Sequence, residues 1–121
     1  MLNTNTLVAM ILMMVSGYYD GQGVGSTAQI WQNDHYSRLS ILFKTLFFFG
    51  IGIVSFITSI YFINKGGLQN PLIMTLIWFI MTIVSVAFLS GSFFQLDLLD
   101  KSIVILAVVL IGFLYYRGVA N

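Results

Sequence analysis

The chain has no cysteine and no glutamate, and its charged residues amount to only 7% of the total. Without cysteine there is no disulfide framework, no thiolate metal site and no cysteine nucleophile. Acid–base chemistry would have to be built from four aspartates and one histidine, His35, which follows Asp34. These lie scattered between apolar stretches, so no catalytic constellation assembles and enzyme activity is not expected. No cofactor or metal is expected for the same reason. The net charge of +1 comes from singly placed Lys and Arg residues. With no basic patch, specific nucleic-acid binding is not expected either. No Lys or Arg precedes Arg38, whereas a secretory signal opens with a positive segment. The first apolar stretch is therefore expected to be an uncleaved helix.

What is present is hydrocarbon. Hydrophobic residues make up 59% of the chain, and the mean hydropathy is +0.96. A water-soluble domain carries about 25% charged residues, so this composition predicts a protein that lives in lipid. Apolar stretches run over 7–19, 39–63, 72–94 and 103–116. Crossing the hydrocarbon takes about 20 helical residues, and runs such as Ile73 to Met81 lack the strict alternation of a β-barrel strand. The expected fold is a single all-α membrane domain, 1–121, with four transmembrane helices at about 2–19, 34–64, 71–94 and 97–117. A three-span version leaves the first stretch at the interface or packed on a neighbour.

The segment 20–33 is predicted to be a polar, flexible linker, because Gly21, Gly23 and Gly25 punctuate it. Asp34 is suited to cap the second helix and Asp97 the fourth. Gly66 and Gly67 end one helix and Pro71 opens the next, so the two central helices should form an antiparallel hairpin. Trp31, Tyr36, Tyr18 and Tyr19 read as anchors at the bilayer interface. Lys and Arg are nearly balanced between the two sides, with a slight lean toward cytoplasmic termini.

Lys44 is the most informative position, a charge inside an apolar stretch. It reads first as a snorkelling residue reaching lipid phosphate, and second as part of a buried pair or pore lining. Arg38 and Lys65 are further candidates for contact with lipid or a lumen. Gly50, Gly52, Ser55 and Ser59 on the second helix, with Thr75, Thr82 and Ser85 on the third, read first as helix-packing residues. Their alternative role is the lining of a solute path. Against that alternative, the third and fourth helices carry no ionisable group at mid-depth.

The sequence Ser40-Ile41-Leu42-Phe43-Lys44-Thr45-Leu46, followed by Gly50-Ile51-Gly52 and the Lys65-Gly66-Gly67 turn, resembles pilin-like small membrane subunits of conjugative type IV secretion systems. The likeness covers 39–89. It implies a two-helix hairpin, with Lys65 in a connecting loop that faces a filament lumen or lipid headgroups. It also implies membrane phospholipid and copies of the chain as partners, in the inner membrane or in an extracellular filament. The expected function is thus a non-enzymatic structural subunit that packs against itself or other membrane subunits. The alternative is a small oligomeric channel or transporter, with Lys44 and the Ser/Thr stripes lining its path.

Overall fold

A computed structural model describes residues 3–31, 35–67, 71–89 and 91–120. Four helices account for nearly all of them, and the described residues contain no strand. Helix α1 spans Thr4–Ile30, α2 His35–Gly66, α3 Pro71–Val84 and α4 Leu98–Ala120. Two stretches are long and apolar enough to cross a membrane: Arg38–Gly66 in α2 and Leu98–Gly118 in α4, each with a mean hydropathy of 2.2.

Several boundaries fall where the residues predicted. Gly67 adopts φ +80° just past α2, and Pro71 is the first residue of α3. The Asp97 carboxylate accepts the Asp100 N–H at 2.8 Å, capping α4. The proposed cap Asp34 lies outside the described residues.

Two boundaries differ. The first helix does not stop at Tyr19 but continues through the expected linker to Ile30. Glycine in a helix costs about 1 kcal/mol relative to alanine, yet here Gly17, Gly21 and Gly23 are buried against neighbours. A Cβ on Gly23 would stand 2.9 Å from the Phe49 ring, and one on Gly21 would run into Ser85. Close approach of helices offsets the local preference for a loop. The third helix is shorter than expected. It changes to a wider π turn over Ser85–Leu89, and a short 3₁₀ turn follows at Ser92–Gln95. The change begins at Ser85, whose hydroxyl donates to the Tyr18 carbonyl at 2.9 Å, and Gly91 at φ +74° precedes the 3₁₀ turn.

Helix α1 lies between α2 and α3. It runs antiparallel to α2, from Asn3 beside Gly66 to Gly23 beside Phe49. It runs parallel to α3, with Gly17 against Trp78 and Gly21 against Ser85. The α2–α3 hairpin therefore has the predicted direction, but its two arms are held apart by the first helix. They meet mainly through Phe56 on Trp78 and through a core of Ala9, Met13, Ile63, Met74 and Ile77. Helix α4 returns along α3, with Gly118 fitted against Ile73, and Tyr115 reaches across to the Met10 sulfur at 3.2 Å.

Asn3 fastens the start of this arrangement. Its Oδ1 accepts the Thr6 N–H at 2.9 Å and its Nδ2 donates to the Gly66 carbonyl at 2.9 Å. Asn3→Ala removes both a helix cap and the tie to α2. We expect a loss of about 1–2 kcal/mol, read as a lower thermal midpoint in detergent. An unchanged midpoint would mean that the tie contributes nothing.

Candidate functional site

On α1, positions three and four apart share a face. Ser16 and Asp20 face α2, and Gly17 and Gly21 face α3. The Ser16 hydroxyl is buried and donates to the Gly52 carbonyl at 2.7 Å. One turn on, the Asp20 carboxylate lies directly over Gly52, with Oδ1 where a Cβ would stand. Only glycine leaves that space. Gly52 is also the midpoint of the apolar Arg38–Gly66 stretch.

The other carboxylate oxygen, Oδ2, accepts the indole N–H of Trp78 at 2.7 Å. Among the described residues, Asp20 has this one hydrogen-bond donor and no basic partner. Lys44 is about 12 Å away along α2 by helical rise. The Phe56 ring stands edge-on to Trp78, with centroids 6.4 Å apart at 82°. Between α2 and α3 a groove of about 290 Å³ opens beside the carboxylate, lined by Asp20, Ile53, Phe56, Ile57, Thr75 and Trp78. Ile53 and Ile57 are more than half exposed at its mouth.

A second, polar cavity of about 340 Å³ lies toward the C-terminal end of α1. Gln22, Gln29, Lys44, Ser85, Ser92 and Gln95 contribute to its lining. Gln22 Nε2 donates to the Ser85 hydroxyl at 3.4 Å. At the opposite end of the bundle, the interior is closed by the apolar core around Met13 and Met74. Among the described residues, no group of three or more His, Cys, Asp or Glu comes together to hold a metal ion.

The residues singled out from sequence are distributed unevenly. Lys44 is exposed at the edge of the polar cavity, with its ammonium 5.7 Å from the Phe48 ring. Lys65 is at the far end of α2, over Tyr61 at 4.8 Å, and Arg38 is half-buried in the second turn. Gly52, Ser55, Ser59 and Ser85 are buried. Thr82 donates to the Trp78 carbonyl at 2.8 Å and reaches the Gly17 carbonyl at 3.3 Å. Thr75 joins the groove beside Asp20.

Gly50 packs against no other helix of this chain, since a Cβ there would meet nothing within 4 Å. Two residues from Gly52 is about 200° around a helix, which is the wrong face. Trp31 ends α1 and is 75% exposed. Tyr36 lies in the first turn of α2, its side chain outside the described residues. Tyr18 and Tyr19 are not at a helix end, because α1 runs on for about 16 Å beyond them. Tyr19 instead sits near Phe48, with ring centroids 6.0 Å apart.

Asp20 itself escaped the sequence reading, which placed it in a linker. The available signal was the spacing of Ser16, Gly17, Asp20, Gly21 and Gly23, a small-residue helical stripe that continues past the apolar run. Comparison with known proteins finds no matching family model, no matching curated protein and no matching solved structure.

Proposed function

We propose that the chain is a small membrane transport protein that works as an oligomer, with Asp20 as its committed ionisable group. The observation that carries this reading is the carboxylate level with the centre of an apolar helix, held among the described residues by one donor and no cation. A charge at the middle of a membrane helix costs about 2.5–3.5 kcal/mol on insertion scales. Packing alone has no use for that cost, whereas solute and proton pathways are built around such groups. The polar cavity supplies an aqueous approach from one end, and the apolar core closes the other. A complete path thus calls for a conformational change or a seam between copies. In this reading α2 and α4 span the inner membrane, and phospholipid and further copies of the chain are its partners.

The second reading is the non-enzymatic structural subunit, including its pilin-like form. It is favoured by α4, whose Leu98–Gly118 stretch has no buried residue and is apolar all round between its charged ends, from Ile103 to Leu114. A helix of that kind belongs in lipid or against other helices.

The deciding experiment pairs particle mass after gentle extraction with flux in liposomes reconstituted from the same preparation. A small discrete oligomer that carries protons or solute across the vesicle wall supports transport. A filament or large ring with the conductance of empty liposomes rejects it and supports the structural subunit.

A further inference from the structure

We propose that the groove beside Asp20 binds a lipophilic organic cation, a quaternary ammonium or a similar ion carried on apolar groups, entering sideways between α2 and α3. The inference rests on the transport reading above and names its substrate class. Three features of the groove select this chemistry together.

The first is charge. Among the described residues, Asp20 is the sole charged one lining the groove, so an anion is repelled and a monocation is matched one to one. The second is the aromatic wall. Trp78 and Phe56 stand edge to face beside the carboxylate, and aromatic faces attract organic cations by their quadrupole, tryptophan most strongly. The Trp78 N–H bond to Oδ2 holds the acid and the indole in one fixed arrangement. The third is the mouth. Ile53 and Ile57 are more than half exposed there, which suits hydrocarbon substituents and an approach from lipid.

Metal cations fit poorly. Hard cations take six or more oxygen ligands. The groove offers the carboxylate and the Thr75 hydroxyl as its side-chain oxygens. The volume of about 290 Å³ suits an ion about the size of a benzyl ammonium with short alkyl arms.

The test uses the full chain in uncharged maltoside micelles. Benzyltriethylammonium is titrated against tryptophan fluorescence in a Trp31→Phe background, which leaves Trp78 as the reporter. We expect saturable quenching. Its uncharged carbon isostere should bind about tenfold more weakly or worse, as should the cation to Asp20→Asn. Asp20→Glu keeps the charge and should keep binding, and Lys101→Gln, on α4 and outside both cavities, should bind as the parent does. Circular dichroism establishes that each variant remains helical.

Absence of saturable binding, equal affinity for the isostere, or undiminished binding by a folded Asp20→Asn overturns the proposal. Flux separates this from the broader reading. Asp20-dependent flux of another solute without benzyltriethylammonium binding removes this substrate class and leaves transport standing. Asp20-dependent binding without any flux supports the site and removes transport.

Discussion

Gly17→Val should separate α1 from α3 and cost at least about 3 kcal/mol, the upper end of what overpacking a close contact costs. A Cβ at Gly17 would stand 2.6 Å from the Trp78 carbonyl oxygen and 2.7 Å from the Met81 Cβ, with the Thr82 nitrogen at 3.2 Å. Two of these neighbours are backbone atoms and the third is fixed to its backbone, so no rotamer change relieves the overlap. The helices must move apart. That motion also breaks the Thr82 bond to the Gly17 carbonyl and pulls Trp78 away from Asp20. The matched control is Gly50→Val, where a Cβ meets nothing within 4 Å and the change should stay within about 0.5 kcal/mol. Denaturation by sodium dodecyl sulfate, followed by helix content, distinguishes the two. If both variants unfold together, close packing at Gly17 does not hold the bundle.

On the transport reading, Asp20→Asn should reduce flux in reconstituted liposomes to the level of empty vesicles, with stability held within about 1 kcal/mol of the parent. The two halves of this prediction have different origins. An asparagine oxygen still accepts the Trp78 N–H, and the amide has nearly the volume of the carboxyl, so the contact over Gly52 survives. Removing an ionisable group from apolar surroundings even offsets part of any strain the amide introduces. What is lost is the capacity to hold a charge or exchange a proton. A structural carboxylate would behave in the opposite way, losing about 2 kcal/mol or more while any flux persisted. That pattern would show Asp20 to be a packing residue and would remove the carrier mechanism.

The parts of the fold set by neighbouring residues were legible in the sequence. Gly66, Gly67 and Pro71 marked the turn between α2 and α3, and Asp97 marked the start of α4, because each acts on backbone groups a few positions away. Thr82 and Ser85 were legible as a hydroxyl face through their helical spacing. The length of α1 was not. Gly21, Gly23 and Gly25 read as a loop because their helical cost is local, while the contacts that offset it come from Ser85 and Phe49 on other helices. Asp20 was hidden for the same reason. Its donor lies 58 positions along the chain, and a carboxylate in a linker looks like any solvated acid. Lys44 drew attention as the charge inside an apolar run, yet it sits exposed at a cavity edge. The acid from the supposed linker occupies the mid-helix position.

The place of α1 between α2 and α3 also orders events during synthesis. Asp20 leaves the ribosome 58 residues ahead of Trp78, and Gln22 leaves 63 residues ahead of Ser85. Until α3 has been made, the polar flank of α1 has α2 alone to meet and its acid has no donor. The depth and rotation of α1 are therefore fixed only once α3 has been made, and a chain halted before Trp78 holds an α1 that has not yet found its place.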